Sequence, residues 1–520
     1  MGSRSGRRGR RKRRRNCSQI VSQAVNLCHD SLYVELRKWL KERGFNSKFL
    51  IPAHFSDTGR GLMAMKTIPG RDLIVSLPER CLLTTQTVLS SYMGEYIKRW
   101  KPLVSPVLAL CVFLISERHL GARSQWKPYA DVLPKTYTCP VYFSDDVISL
   151  LPGDLKKKAF DQRDGVSELF FSSLAFFHSL QPLFDQPVEG IFTHDALRWA
   201  WCSVNTRTVY MEHPQSPHLS REPDVYALAP YLDLLNHCPS VQVEAGFNKT
   251  KRCYEVHSVQ GCRKFQQAFL CYGPHDNQRL LLEYGFVAPG NPHSVVYVDP
   301  GDLQFCFSAV VEQFSQKLLF LKKHDFLSNL TFGLDGTSWR LMTALRLLSL
   351  KPDQYSCWKG VLLGAAVSQD NEERSIHLAQ VLCQHLWDEN TEALLKALDA
   401  AHTSSFRKDT EAPFRKRVRL SGDPVTSNSQ KSDDVVLVWE QALGCGLFIV
   451  KPHFQHRKEE HMRAGSTLWV GNTIGRTVSP TLPGACFCCA DITPQLRHRL
   501  THDRLPDAFS ERQRNREERA

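Results

Sequence analysis

The sequence has no hydrophobic run long enough to cross a membrane. Its longest apolar stretch, from Val107 to Ile115, is far shorter than the roughly 20 residues that a spanning helix needs. The arginine-rich start is not followed by an apolar segment, so we expect no signal peptide. Position six is Gly6, where a myristoylation signal would have Ser or Thr. We therefore predict no membrane partner.

Several widespread motifs are absent as well. The chain has no Walker motif, no Gly-x-Ser-x-Gly nucleophile elbow and no internal repeat. The turn Gly59-Arg60-Gly61 lacks the third glycine and the strand–helix setting of a dinucleotide-binding loop. The segment Cys486-Phe487-Cys488-Cys489, followed by His498 and His502, has metal-ligand spacing. Only eight residues separate its two pairs, however, and a C2H2 finger needs about twelve. We predict no metal site.

A disulfide framework is not indicated either. The 17 cysteines are scattered singly, mostly within apolar segments, as at Cys111 and Cys202. This is how reduced, intracellular cysteines are used. With 42% hydrophobic and 23% charged residues, the composition is typical of a soluble globular protein, and 520 residues allow two or three domains.

Positive charge, in contrast, is concentrated in one place. Nine basic residues lie between Arg4 and Arg15 and supply most of the net charge of +13. Such a block repels itself, so we expect residues 1–30 to form a disordered basic tail that engages an import receptor or binds nucleic acid non-specifically. No sequence-specific nucleic acid is expected. The predicted location is the nucleus and the cytoplasm.

The hydrophobic pattern of the first half predicts short strands interrupted by helices. Leu32, Leu36 and Leu40 have helical spacing, and strand-like pieces follow at 61–65 and 73–77. A longer helix should begin with Ser105 as its cap and end near Gly121. Helical pattern continues through much of 154–205. We interpret about 100–205 as a helical insertion within a sheet domain.

The second half is predicted to be helical up to about residue 400, after which the hydrophobic periodicity becomes weak. Two sets of residues have the spacing of buried helix faces: Leu341, Leu345 and Leu348, and Ile376, Ala379, Leu382 and Leu386. They predict a helical lobe over 300–400. Residues 401–520 are rich in Ser, Thr, Pro and Arg with weak periodicity, and we predict a mostly disordered tail.

Three short segments of the sequence, or phrases, contain the residues that could bind a ligand or take part in a reaction. The phrase from Tyr231 to His237 offers a carboxylate, an amide and an imidazole beside an apolar Leu-Leu step. The phrase Leu270-Cys271-Tyr272-Gly273 places a phenol in a short apolar segment before a turn. The glycines of the third, Thr58 to Leu62, let a backbone approach a ligand closely. The three phrases can form one functional site only if the fold brings them close together.

Together the phrases resemble the signatures of the SET-domain methyltransferases. The resemblance covers roughly 48–400 and is closest to the branch that includes the Rubisco large-subunit lysine methyltransferases. Within that branch, Gly273 to Arg279 and Glu283 to Phe286 are similar to one particular group. The Cys-rich segments that flank the domain in many histone-methylating relatives are missing, which fits this branch.

The resemblance implies an α+β fold and a cofactor. Small β-sheets with a pseudoknot-like active site would form a SET domain at 48–273, which contains the helical insertion. A post-SET segment at 274–299 would line the cofactor pocket or the substrate channel, and an all-helical lobe at 300–400 would bind the substrate. The implied cofactor is S-adenosylmethionine.

The resemblance also implies roles for individual residues. Tyr272 matches the family's near-invariant tyrosine and is the predicted catalytic residue. The predicted cofactor-binding residues are Gly59, Arg60, Gly61, Arg207, Asp233, Asn236, His237, Tyr272, Tyr284 and Phe286. The last two fall where the family lines the cofactor pocket or the lysine channel. Cys238 stands where relatives usually have Ser or Thr.

The implied activity is protein-lysine N-methylation, with a substrate protein that carries the target lysine, histones included. Lysine, with a pKa of about 10.4, must be neutral to react, and an apolar channel together with the nearby sulfonium lowers that pKa. Two alternatives stay open. One relative in this branch methylates histidine, and a SET fold can serve as a catalytically silent binding module. The intact Asn236, His237 and Tyr272 argue against silence.

Overall fold

The structure, a computed structural model, describes residues 24–47 and 49–402. Within them the chain forms two structural units, divided between Val295 and Val296, and residues from Asp388 onward are again part of the first unit. The division falls inside the segment 274–299. Residues 1–23 of the predicted basic tail 1–30, the segment from Cys486 to His502 and the tail beyond 402 lie outside the described residues. Residues 24–30 of that tail are described, and Val25–Asn26 form a strand paired with Ala53 and His54, so this part is not disordered as predicted.

The first unit combines short strands with helices of very different length. Its strands are β1 Val25–Asn26, β2 Leu50–Phe55, β3 Gly59–Ala64, β4 Asp72–Pro78, β5 Thr208–Tyr210, β6 Tyr226–Leu228, β7 Asn236–His237, β8 Val243–Asn248, β9 Cys253–Ser258 and β10 Gln267–Leu270. Its helices are α1 Ser31–Glu42, α2 Thr85–Leu89, α3 Gly94–Arg99, α4 Pro106–Leu120, α5 Lys127–Ala130, α6 Asp145–Ser149, α7 Gly153–Ser179, α8 His194–Arg207 and α9 Asn277–Tyr284.

One five-stranded sheet brings the three sequence phrases together. Its order is β1-β2-β3-β10-β7, so that the Gly-Arg-Gly strand β3 pairs antiparallel with β10. Strand β7, the Asn-His strand, pairs in parallel with β10, and Leu270 lies opposite His237. Parallel strands require a crossover connection. Here that connection contains β8 and β9, which form a separate sheet with β4.

Helix α4 shows why the longest apolar run of the sequence is a helix. The Ser105 hydroxyl accepts a hydrogen bond from the Leu108 N–H at 3.2 Å, Pro106 occupies the first turn, and the helix ends at Leu120 before Gly121. These bounds confirm the predicted start and end. Every residue from Leu108 to Glu117 is buried, and a helix buried on all sides needs no polar stripe.

The remaining helices of the first unit differ from the prediction in two details. In α1, Leu36 and Leu40 are buried as their spacing predicts, but Leu32 is exposed because Tyr33 and Trp39 complete the inner face. The helices between β4 and β5 begin at Thr85, earlier than the predicted start near residue 100. Helices α2 and α3 have only five and six residues, too few for a helical period to be read from sequence.

The second unit has a helical core to which a small sheet is added. Its helices are α10 Pro300–Phe307, α11 Phe314–Lys323, α12 Trp339–Leu348, α13 Trp358–Leu362 and α14 Gln369–His402. Helix α14 extends past the end of the unit. The strands are β11 Val296–Val298, β12 Leu330–Gly333 and β13 Gly336–Thr337. These three strands form a sheet that the sequence analysis did not predict. Each has two to four residues, below the length at which alternation is detectable.

The predicted helix faces of this unit are largely buried. Leu341, Leu345 and Leu348 on α12 belong to its core, as do Ala379, Leu382 and Leu386 on α14. Ile376 is 39% exposed, so the buried stripe of α14 does not include it. Among the described helices, none combines the length and the hydropathy that a membrane crossing requires.

Candidate functional site

The side-chain amide of Asn236 ties together three strands of the five-stranded sheet. Its Nδ2 donates one hydrogen bond to the Arg60 carbonyl oxygen at 2.9 Å and another to Gln267 Oε1 at 2.8 Å. The Gln267 amide also bonds the Thr58 hydroxyl. Strands β3, β7 and β10 are thereby fixed in register by side chains as well as by their backbones. The Gly-Arg-Gly turn and the Asn-His pair are parts of one hydrogen-bond network.

Gly61 leaves the space that this network needs. A Cβ atom built at Gly61 would lie 2.9 Å from Gln267 Oε1 and 3.0 Å from Asn236 Nδ2. These separations are tighter than ordinary van der Waals contacts. The Arg60 side chain is directed elsewhere, because its Nη1 donates to the Val132 carbonyl oxygen at 2.5 Å. Arg60 therefore meets the Asn-His strand through its backbone oxygen.

His237 is held as a neutral ring. Its Nδ1 accepts a hydrogen bond from the Tyr272 backbone N–H at 3.1 Å, so the neutral ring carries its proton on Nε2. Burial, with a smaller contribution from charge repulsion by His275 and His293, lowers the pKa of His237 to about 4. Nε2 is buried and has no hydrogen-bond partner among the described residues. The Nε2–H group of His237 could therefore donate a hydrogen bond to a bound ligand.

We expect the His237 ring to stay neutral far below the usual histidine pKa. Its folded-state pKa of about 4 lies below the unfolded value of about 6.5. Its contribution to stability is therefore complete above about 6.5 and is lost as the pH falls towards 4. A proton NMR titration of the ring, assigned with a His237→Asn variant, measures this pKa. A midpoint near 6.5 would contradict the buried, neutral ring.

Three aromatic rings surround the Tyr272 side chain, and a fourth ring stacks on one of them. The Tyr272 ring centroid lies 5.0 Å from that of Tyr284, 5.1 Å from His237 and 6.3 Å from Phe286. His275 stacks on Tyr284 at 5.9 Å and bonds the Tyr272 carbonyl oxygen. Such centroid distances are those of favourable ring pairs. The rings give this site apolar walls around one phenol.

The end of helix α9 explains how Tyr284 and Phe286 reach the same ring. Gly285 caps the helix in a left-handed conformation with φ of 75°, which favours glycine. Its Cα faces the insertion so closely that a Cβ would lie 2.7 Å from the backbone nitrogen of Cys139. The Thr138 hydroxyl donates to the Gly285 carbonyl oxygen at 2.6 Å. The helical insertion thus fixes the position of this segment.

The Tyr272 hydroxyl is oriented by backbone. It donates a hydrogen bond to the Leu235 carbonyl oxygen at 2.8 Å, one residue before Asn236. The phenol oxygen therefore lies at the end of the Asn-His strand. Tyr272 and His237 share one cluster of rings, as the convergence of their phrases requires.

Arg207 and Asp233 form a half-buried charged pair next to these strands. Arg207 Nη1 donates to the Asp233 carbonyl oxygen at 2.9 Å, and the Tyr129 hydroxyl donates to Asp233 Oδ2 at 3.0 Å. Burial raises the pKa of Asp233 to about 6, although Arg207 and Tyr129 act in the opposite direction. Arg207 Nε is buried without a partner among the described residues. It is a second donor without an acceptor in this region.

The sequence comparison identifies the chain's relatives. Over 397 residues it is 53% identical to SET domain-containing protein 4 of Mus musculus, an alignment that covers 76% of this chain and 90% of the mouse protein. The chain belongs to the SET domain-containing protein 4 family. The resemblance predicted from Gly273 to Arg279 and from Glu283 to Phe286 is therefore confirmed, and it places the chain among the SET-type methyltransferases.

Solved structures confirm the predicted fold class. The SET domain of LSMT bound to lysine and AdoHcy matches this member of the SET domain-containing protein 4 family with a TM-score of 0.53 and 21% identity. The match covers 82% of this chain and 92% of that chain. Residues 310–420 match the family described as Rubisco LSMT substrate-binding. The chain is also 27% identical, over 275 residues, to an actin-histidine N-methyltransferase of Gallus gallus; the alignment covers 52% of this chain and 45% of that protein.

The residues of the site fit the predicted cofactor. The buried donors His237 Nε2 and Arg207 Nε have no acceptor among the described residues, and a bound polar molecule would supply one. AdoHcy, the demethylated form of S-adenosylmethionine, is the ligand in the matching LSMT structure. The individual contacts proposed for the ten residues stay predictions.

Several residues of this SET domain-containing protein 4 site were not predicted. Gln267 and Tyr129 are bonded to Asn236 and Asp233, but their positions in the sequence give no sign of it, since Tyr129 is 104 residues away from Asp233. Asn277 exchanges two hydrogen bonds with the Ala288 backbone and so closes the loop after α9. Asn277 lies within the phrase from Gly273 to Arg279, so the resemblance was a signal that could have found it.

Replacing Tyr129 with phenylalanine should destabilise this family member more at high pH than at low pH. The folded-state pKa of Asp233, about 6, lies above its ordinary value of 3.8, so stability falls as the pH rises through about 6. Losing the Tyr129 bond raises that pKa further and should cost about 1–3 kcal/mol once Asp233 is ionised. Thermal unfolding at pH 5.5 and pH 8 measures the difference.

Tyr137→Phe is the matched control for this experiment. The Tyr137 hydroxyl is also buried but pairs with the Ser203 hydroxyl at 2.7 Å. Its loss should lower the unfolding temperature by a similar amount at both pH values. Equal losses at pH 5.5 and pH 8 in Tyr129→Phe would contradict the role assigned to its bond with Asp233.

Proposed function

We propose that this protein is an S-adenosylmethionine-dependent protein-lysine N-methyltransferase. The observation that carries the proposal is the cluster of rings around Tyr272, which joins the phenol to the Asn-His strand and to the segment from Tyr284 to Phe286. A surrounding of aromatic rings suits the apolar chain of a lysine. The LSMT structure with the same fold holds a lysine.

The walls of the site would help to make the amine reactive. Transfer needs a neutral amine, and free lysine has a pKa of about 10.4. Tyr284 and Phe286, whose ring centroids lie 6.2 Å apart, would surround the substrate nitrogen with apolar surface, which would disfavour the ammonium form and lower its pKa. The substrate amine then loses its proton to solvent before it reacts. No strong general base is required of the protein.

Positioning is the main contribution of the protein's own residues. S-adenosylmethionine, when bound, supplies a methyl group on a positively charged sulfur. The Tyr272 oxygen, held by the Leu235 carbonyl, would align the amine with that methyl group. The Tyr272 oxygen would also help to stabilise the charge that shifts during the transfer. His237, with a pKa of about 4 and an occupied Nδ1, would act as a neutral hydrogen-bond donor through Nε2.

The proposed substrate is a protein, with histones and other nuclear or cytosolic proteins as candidates. Support for a protein substrate comes from the match of residues 310–420 to the Rubisco LSMT substrate-binding family. The nuclear part of the proposal rests on the basic cluster between Arg4 and Arg15, which would engage an import receptor. A fluorescent fusion of the full chain, compared with one in which these basic residues are replaced by glutamine, tests the nuclear location.

Labelled methyl transfer tests the activity and identifies the residue. The full-length protein is incubated with radiolabelled S-adenosylmethionine and with nuclear and cytosolic extracts, and the modified residues are identified by mass spectrometry. We expect methylated lysine. Calorimetry with S-adenosylmethionine separates an enzyme from a silent binding module, because a silent module need show no binding heat.

Histidine is the second candidate target. The observation in its favour is the 27% identity to an actin-histidine N-methyltransferase. Imidazole has a pKa near 6.5 and is already largely neutral at physiological pH. Methylhistidine in the labelled proteins, without methyllysine, would replace the lysine proposal with this one.

A further inference from the structure

A groove of about 1060 Å³ lies in the first unit, and none of the ten predicted site residues lines it. It lies between helices α2 and α4, the loop before α5 and the turn between β8 and β9. Three aromatic side chains, Tyr92, Phe113 and Trp126, line it together with Glu117. The predicted activity of the protein makes no use of this groove.

Helix α4 supplies the floor of the groove. Phe113 and Glu117 are four residues apart and lie on one face of the helix. The Phe113 centroid lies 6.3 Å from that of Tyr92 and 6.5 Å from that of Trp126. Trp126 is itself fixed from behind by Trp39 at 5.2 Å. The rings therefore form a continuous, supported aromatic wall.

Glu117 is a buried carboxylate without a basic partner among the described residues. It is 3% exposed, and it accepts hydrogen bonds from the Tyr92 hydroxyl at 2.9 Å and from the Ser124 hydroxyl at 2.5 Å. Ser124 in turn accepts the Trp126 backbone N–H at 2.9 Å, which connects the carboxylate to the aromatic wall. A buried charge is costly unless an opposite charge accompanies it.

The basic residues at the edge of the groove have partners of their own. Arg252 pairs with Glu79 at 2.5 Å, Lys251 with Glu255 at 3.0 Å, and Arg123 with Asp185 at 3.7 Å. The Arg80 guanidinium donates to the Arg43 carbonyl oxygen at 2.6 Å. None of these four cations forms an ion pair with Glu117. A positive charge that pairs with the Glu117 carboxylate would therefore have to come from a bound ligand.

We propose that this groove binds an alkylammonium group, namely the side chain of a lysine or methylated lysine on a protein partner. A cation within about 6 Å of several ring faces is attracted by their electron density, and a carboxylate adds a direct charge partner. The hydroxyls of Tyr92 and Ser124 hold that carboxylate in place. The groove would be a second lysine-recognising site, separate from the site around Tyr272, and it does not depend on the proposed methyl transfer.

Small cations of matched shape test this proposal directly. The full-length protein is labelled with 5-fluorotryptophan, and the fluorine signal of Trp126 is assigned with a Trp126→Phe variant. n-Butylammonium and choline represent lysine and trimethyllysine, and 3,3-dimethyl-1-butanol is the neutral analogue of choline. We expect both cations to shift the Trp126 signal saturably and the alcohol to leave it unchanged. The ratio of the two cation affinities tells whether the groove prefers the methylated form.

Charge removal at the floor should weaken binding selectively. Glu117→Gln keeps a similar shape and should lower both cation affinities by about tenfold or more. Glu244→Gln, on the exposed part of strand β8, is the matched control and should change nothing. If Glu117→Gln does not fold, Tyr92→Leu serves instead, because Tyr92 is 43% exposed and its ring contributes to the same wall. An unshifted Trp126 signal, equal binding of the alcohol, or full binding by the folded variant would overturn the proposal.

Discussion

Replacing Tyr272 with phenylalanine should lower the turnover of methyl transfer by about a hundredfold or more, with a much smaller effect on cofactor affinity. The variant keeps the ring, and so keeps the contacts with Tyr284, His237 and Phe286. It loses only the hydroxyl that is held by the Leu235 carbonyl oxygen. Radiolabel transfer to extract proteins gives turnover, and calorimetry with S-adenosylmethionine gives affinity.

A tyrosine outside the site provides the control for this substitution. Tyr210 is 60% exposed, and its hydroxyl donates to Glu212 at 2.7 Å. Tyr210→Phe therefore removes one hydroxyl without touching the ring cluster, and it should retain the parent turnover. If Tyr272→Phe and Tyr210→Phe transfer methyl groups equally fast, the Tyr272 phenol has no part in the reaction. A loss of cofactor affinity as large as the loss of turnover would instead indicate a binding role.

The local parts of the structure follow from local sequence. Helix α4 has a cap at Ser105, a proline in its first turn and a glycine after its end, and its bounds were predicted from these signals. The two short helices α2 and α3 carry no such combination over a readable length. In α1, the hydrophobic spacing predicted the helix and the burial of Leu36 and Leu40, but Leu32 is exposed, and Tyr33 and Trp39 complete the buried face. The aromatic side chains of Tyr33 and Trp39 are buried because they remove more apolar area from water than Leu32 would.

The sequence named several residues that the structure brings close together, but it did not reveal the hydrogen bonds between them. Resemblance supplied Asn236, His237 and Tyr272, and the parallel pairing of β7 with β10 accounts for their proximity. The hydrogen bonds that organise them join residues far apart in sequence, such as Asn236 to Arg60 and Tyr129 to Asp233. No pattern within a window of sequence contains such a pair. The groove at Glu117 is likewise invisible in sequence, because its walls come from four separate segments.

Gly61→Ala should weaken cofactor binding by about tenfold or more while changing only one methyl group. The added Cβ would come within 2.9 Å of Gln267 Oε1 and 3.1 Å of the Phe55 ring. Overpacking of this kind costs about 1–3 kcal/mol, and the displaced amide also loosens the bond that holds Asn236. Calorimetry with S-adenosylmethionine measures the affinity, and thermal unfolding measures the stability.

A second glycine in a strand separates the steric effect from the general effect of the substitution. Gly246 lies in β8, and a Cβ added there would meet nothing within 4 Å. Gly246→Ala should leave cofactor affinity unchanged and should not lower stability, because alanine restricts the unfolded chain more than glycine does. Neither glycine has a positive φ, so alanine adds no backbone strain at either position. The difference in cofactor affinity between the two variants therefore measures the effect of the contact with Gln267 and Asn236. Equal cofactor affinities in the two variants would show that the space at Gly61 is not needed by the ligand or by the amide network that supports it.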